Sequence, residues 1–164
     1  MLEICIIALT LIADQWTKSW AARVVQPMAE STLPIWKGVF HFTYHENRGA
    51  AFGILQGKRV FLLIITVLAV LAMGYILFRY RKEFGRWMRV GLSLMISGAV
   101  GNFIDRVWLG YVRDFIDVRL IHFPMFNIAD ACLTISVFMI AIYIFFFADK
   151  EGKKTIASPE VADE

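Results

Sequence analysis

Long polar stretches are what this 164-residue chain most conspicuously lacks. Charged residues make up 19% of it and hydrophobic residues 59%, with a mean hydropathy of +0.61. A soluble domain of this length would keep a mostly polar exterior, so lipid is the expected solvent for much of the surface. Cysteine is scarce: Cys5 and Cys132 are the only two, both in apolar segments and without CxxC spacing. They read as packing residues, not as a disulfide or a nucleophile. Excess positive charge is small, +3 overall, and no basic stripe with interleaved aromatics occurs, which argues against nucleic acid. Metal-ligand spacing is missing as well. His41 and His45 fall in an expected strand or loop, and His45-Glu46 runs into Asn47-Arg48-Gly49, unlike the helical HExxH of zinc proteases. No metal or other cofactor is expected. The N-terminus also lacks the basic region of a cleaved leader, since Met1-Leu2-Glu3 opens directly into apolar sequence. With Asp14 and Lys18 further on, it reads as a retained helix.

What is present is a set of apolar runs of membrane length. Residues 60–78 and 131–148 carry no charge, and 90–104 extends the same character backwards through Trp87 and Met88. A fourth run, 2–22, is interrupted by Asp14 and Lys18, which are four apart and so share a helical face. About 20 apolar residues span a bilayer. The expectation is an all-α membrane protein with four transmembrane helices and a small extracytoplasmic β element in the first outer loop. That element is read from Trp36-Lys37-Gly38-Val39-Phe40-His41-Phe42, which is rich in aromatic and β-branched residues. Residues 1–154 are expected as one integral membrane domain, with 155–164 a polar, disordered cytoplasmic tail.

Arg79, Arg81, Lys82, Arg86 and Arg89 crowd one short loop against a single acid, Glu83. The positive-inside rule places that loop, and with it both termini, in the cytoplasm. Loops 24–59 and 106–129 then face outward. Asp14, roughly 18 Å along its helix at about 1.5 Å per residue, falls in the outer half. Asp105 closes the third run and Asp130 opens the fourth, so several acids meet at one membrane face. Ionisable groups at membrane depth are costly and mark candidate functional sites. Two acids held close cannot both ionise easily, so one keeps a proton and the pair can work on a water molecule as base and acid. The alternative for any one aspartate is an ion pair: Asp105 beside Arg106, or Asp117 near Arg113 and Arg119. The residues alone do not choose between Asp105 and Asp114 as a member of the reactive pair. Gly98 and Gly101 suit either a close helix seam or a narrow substrate site, as do Gly49, Ala50, Ala51 and Gly53. A proton-coupled transporter or assembly scaffold would instead spread its acids through the membrane and carry an inverted repeat; neither is seen.

Five motifs in order carry a resemblance. They are Asp14-Gln15-Trp16-Thr17-Lys18; Asn47-Arg48-Gly49-Ala50-Ala51-Phe52-Gly53; Gly101-Asn102-Phe103-Ile104-Asp105-Arg106; Val112-Arg113-Asp114-Phe115; and Phe126-Asn127-Ile128-Ala129-Asp130. Together they resemble the lipoprotein signal peptidases, or signal peptidase II. The resemblance implies an aspartic endopeptidase of the bacterial cytoplasmic membrane, cutting signal peptides from prolipoproteins before a diacylglyceryl-modified cysteine at the outer face. Its substrates would be lipidated prolipoproteins, membrane lipids its surroundings, and the working form a monomer. By motif position the catalytic pair is Asp114 and Asp130. The resemblance assigns Asn47, Asn102, Arg106 and Asn127 to the lining of the site, and Asp14 and Lys18 to its support. Gly49, Asp105 and Ala129 join them as substrate-binding or supporting positions. The chain departs from the family's habit at Ser97-Gly98, where two glycines are frequent, and at Arg113, where an aliphatic residue often precedes the aspartate.

Overall fold

The computed structural model describes residues 1–50 and 54–146. Ala51, Phe52 and Gly53, and the expected tail at 155–164, lie outside the described residues. Four long helices follow the apolar runs: α1 Leu2–Trp20, α2 Arg59–Arg79, α3 Arg86–Trp108 and α4 Ile128–Phe146. By length and composition α2, α3 and α4 are each able to cross a membrane. α1 has the same length as α4 but turns Glu3, Asp14 and Lys18 into the bundle. A wider helical turn, Ala21–Val25, prolongs it, with Ala21 and Val25 fully buried.

α3 is the central helix and packs against each of the others. Its small residues make this possible. A Cβ added at Gly98 would lie 2.5 Å from the Ala129 carbonyl oxygen and 2.8 Å from Leu133 Cγ, and one at Gly101 would lie 2.7 Å from Asp14 Oδ2. These two glycines therefore serve the seams of α3 with α4 and α1, one of the two uses their spacing allowed. α2 is the peripheral helix, with Phe61, Ile64, Leu68, Leu71 and Phe78 exposed to the surroundings. A row of apolar residues facing outward is stable only in an apolar solvent.

Charge closes one end of the bundle. The Glu3 carboxylate accepts from Arg81 at 3.1 and 3.3 Å and also pairs with Arg89. The start of α1 is thereby tied to the connection between α2 and α3.

A three-stranded antiparallel sheet caps the other end: β1 Thr32–Trp36, β2 Phe40–Asn47 and β3 Val112–Val118, in that order. The β element thus extends beyond the first loop, to which the sequence reading confined it. Val112–Val118 breaks the apolar–polar alternation of a half-buried strand, with Arg113 beside Asp114 and Phe115 beside Ile116, and its partner strand lies far earlier in the chain. Phe42, Phe40, Phe115 and Trp20 pack as an aromatic cluster that seats the sheet on the end of α1.

Candidate active site

Strand register decides where the acids point. On β3, alternate residues face opposite sides. Asp114 is paired with His45 and is buried, while Arg113 on the other face reaches back to the end of α3. There Arg113 grips Asp105, with Nη2–Oδ1 at 2.6 Å and Nε–Oδ2 at 3.0 Å, and its backbone N–H adds a bond to Oδ2 at 3.0 Å. Lys18 Nζ lies 2.8 Å from Asp14 and 3.8 Å from Asp105, its side chain wholly buried. Asp14, Asp105, Lys18 and Arg113 thus form a charge-balanced cluster. Arg106, adjacent in sequence to Asp105, turns elsewhere and donates to the Gly49 carbonyl at 2.8 Å.

Gln15 completes the cluster. Its amide nitrogen donates to Asp14, Gly101 O and Asp105 at 3.1–3.3 Å, while its Oε1 accepts from Arg113 at 3.0 Å. Sequence reasoning gave Gln15 no role and offered Arg113 as an ion-pair partner of Asp117, whereas the structure pairs it with Asp105. Strand alternation at Arg113-Asp114 was the signal for the second; nothing local marked the first.

The other two acids have only amides for direct partners. Asp130 and Asn127 form a reciprocal cap on α4: the Asp130 N–H donates to Asn127 Oδ1 at 3.0 Å, and the Asn127 N–H donates to Asp130 Oδ2 at 3.2 Å. The next free amide of that helix end, Ala129 N–H, donates to Asp14 Oδ1 at 3.0 Å. The positive end of the α4 dipole is therefore spent on two carboxylates. Asn127 Nδ2 also donates to Asp114 Oδ1 at 2.7 Å, so one side chain bridges both acids. Asn47 Nδ2 reaches Asp114 Oδ2 at 3.0 Å and Asn102 Nδ2 reaches Asp130 Oδ1 at 2.8 Å. Asn102 Oδ1 in turn accepts from Lys18 at 3.0 Å, linking the two clusters. Among the described residues neither Asp114 nor Asp130 makes an ion pair. Burial, and after it the charge of Asp130, push the Asp114 carboxyl up to about 7, against the opposing bonds from Asn47 and Asn127.

By contrast Asp117, farther along β3, accepts from Arg119 Nε at 2.8 Å and Thr43 at 2.7 Å. Burial works against ionisation there, yet these partners hold its carboxyl below the usual range. It is an ion-pair residue.

A cleft of about 450 Å³ opens beside the pair, its lining combining polar Asn47, Asn102, Arg106 and Asp130 with apolar residues that include Phe126 and Leu133. Of the expected positions, Asn47, Asn102, Arg106, Asn127, Asp114 and Asp130 surround this site. Asp14, Lys18, Asp105 and Ala129 lie behind it, and Gly49 steadies both Asn47, through its N–H at 3.0 Å, and Arg106.

Apolar helices, with one amide-held carboxylate on α4 and another on the strand packed over them, next to a cleft, define a membrane protein with an acid–base site. The signal peptidase (SPase) II family, Peptidase_A8, matches residues 6–146. A lipoprotein signal peptidase of Clostridium novyi is 41% identical over 155 residues, covering 93% of this chain and 100% of that one. That of Clostridioides difficile is 44% identical over 151 residues, covering 92% and 99%. Among solved structures, a bacterial membrane enzyme determined by the in meso method at 2.3 Å resolution superposes with a TM-score of 0.79. It is 36% identical, with 99% of this chain and 94% of that chain covered. The chain belongs to the signal peptidase II family and is a bacterial membrane peptidase.

Proposed function

We propose that this protein is an aspartic endopeptidase that removes signal peptides from diacylglyceryl-modified prolipoproteins, cleaving before the lipidated cysteine at the outer face of the cytoplasmic membrane. The observation that carries this reading is the Asp114–Asn127–Asp130 bridge. A buried acid, Asp114, and a partly buried one, Asp130, with amide partners and no direct cation among the described residues, are arranged to share one proton. Asp130, at the positive end of α4, holds the negative charge, and Asp114 holds the proton.

A water between them loses a proton to Asp130 as its oxygen attacks the peptide carbonyl carbon. Asp114 gives its proton to the carbonyl oxygen, and a tetrahedral diol forms. Collapse of that diol breaks the C–N bond: the proton taken up by Asp130 passes to the leaving amine, and one diol hydroxyl returns its proton to Asp114 as the new carboxyl group forms. The pair titrates as one coupled unit. Arg106 offers donors in the cleft for the peptide backbone, and Asn47, Asn102 and Asn127 keep the carboxylates oriented. A lipid anchor retained in the bilayer brings the scissile bond to the membrane surface, where the apolar lining of the cleft receives it.

The four-span topology, with both termini cytoplasmic, belongs to the same reading. It is supported by the Glu3 contacts, which bring the start of α1 to the same end as the basic α2–α3 connection. Cysteine placed at Gly85 should resist labelling by an impermeant reagent added outside intact cells; labelling would reject this orientation.

Each buried CH₂ contributes about 0.8 kcal/mol, so the acyl chains supply much of the substrate's affinity. Purified enzyme should cut a lipidated precursor efficiently and the same precursor without lipid poorly, chiefly through a raised KM. Equal cleavage of both would overturn the proposed substrate class.

A further inference from the structure

Two cavities meet at the carboxylate pair, and their chemistry differs. The larger, which holds Asp130, has the apolar lining described above. A second, of about 370 Å³, holds Asp114 and continues past it to His45, Glu46, Arg48 and Gln56. Both are bordered by Asn47, Pro124 and Met125, so they adjoin. A peptide crossing the pair passes from apolar surroundings into polar ones.

Register builds the polar side. His45 is the direct partner of Asp114 on the neighbouring strand. Side chains so placed stand on one face, with Cβ atoms about 5 Å apart. Arg48 is fixed: it pairs with Glu46 at 2.9 Å and lies over the Tyr111 ring at 5.5 Å from the centroid. The His45 side chain is exposed, and among the described residues its imidazole has no hydrogen bond or ion pair. The cavity therefore combines a preset charged rim with an imidazole whose donor and acceptor are uncommitted.

We propose that this second cavity is the subsite for the segment that follows the lipidated cysteine, and that His45 selects a small hydrogen-bonding side chain there. The proposal rests on the peptidase reading above and extends it to the product that stays with the lipid. An extended chain advances about 3.4 Å per residue, so the second residue of the mature protein comes level with His45. A serine or asparagine at that place exchanges water for His45 or Gln56. A leucine strips water from Glu46, Arg48 and Gln56 and returns no hydrogen bond. Sites built to hydrogen-bond a substrate group discriminate strongly against analogues that lack it.

The test uses purified full-length enzyme and two lipidated precursors that differ only in the second mature residue, serine or leucine. Serine should be favoured at least about tenfold in kcat/KM, and His45→Ala should bring the ratio close to one. Because the ratio is taken within one preparation, partial misfolding of the variant lowers both rates together and leaves it unchanged. Equal rates for the two precursors with the wild type, or a ratio untouched by His45→Ala, would overturn the subsite while leaving the peptidase reading intact. Failure to cut any lipidated precursor would remove that reading and the subsite with it.

Discussion

Two groups of aspartates lie in the same end of the bundle, a hydrogen bond or two apart, and their environments assign them opposite work. Asp14 and Asp105 face Lys18 and Arg113, two negative charges against two positive. Asp114 and Asp130 face Asn47, Asn102 and Asn127, which donate hydrogen bonds but carry no charge. Cations fix carboxylates in the ionised form and leave nothing to transfer. Amides orient carboxylates and leave the second charge uncompensated, so a proton is retained where a reaction can use it. Asp14, Asp105 and Asp114 are all buried and Asp130 partly so, and the sharper difference lies in the charge of the neighbours. Asn102 stands between them, polarised by Lys18 on one side and holding Asp130 on the other.

The largest expected effect is on the amide-held pair. Asp114→Asn or Asp130→Asn should lower kcat on the order of 10⁴-fold, as loss of one member of a catalytic unit does. Thermal unfolding in detergent should show little loss of stability, since an amide replaces an acid that already lacks an ion pair.

The cationic cluster should respond the other way. Lys18→Met leaves Asp14 and Asp105 with one partner cation too few, and removing one side of a buried pair costs about 3–5 kcal/mol. Adding Asp14→Asn to that variant should recover part of the lost stability. No recovery in the double variant would show that Lys18 acts through packing and not through charge.

The smallest effect separates the groups by pH. Asp114 titrates near 7 in the folded protein, against an ordinary value of 3.8. Between those values the folded chain holds a proton that the unfolded chain has released, so stability falls as pH rises through that window and levels off above it. Turnover should likewise decline above pH about 7, as the shared proton is lost. In Asp114→Asn the contribution of this residue to the stability slope should vanish, which parallel denaturant titrations at several pH values would measure.

Much of this arrangement was legible in the chain. Runs 60–78 and 131–148 announced α2 and α4 because lipid demands unbroken apolar sequence. The i,i+4 spacing of Asp14 and Lys18 announced their pairing. The third strand was not legible: Arg113, Asp114 and Asp117 make Val112–Val118 read as a charged loop, and only pairing with a strand distant in sequence turns it into a sheet edge. For the same reason the residues alone could not separate Asp105 from Asp114. In the proposed reading Asp105 is set apart by Arg113, whose direction depends on which face of β3 it occupies, and by Lys18, which arrives from another helix. Gln15 escaped notice because its four partners come from α1, α3 and β3 and meet only in the folded bundle.

The choice between those two aspartates is the sharpest point of contact with experiment. Asp105→Asn and Asp114→Asn should be purified in parallel, and cleavage of one lipidated precursor measured per folded molecule. Asp114→Asn should stay folded and fail to cut, whereas Asp105→Asn should unfold more easily yet cut in proportion to the folded fraction. An Asp114→Asn enzyme that cuts at the wild-type rate, or a stable Asp105→Asn enzyme that does not cut, would contradict the division of labour between the two clusters.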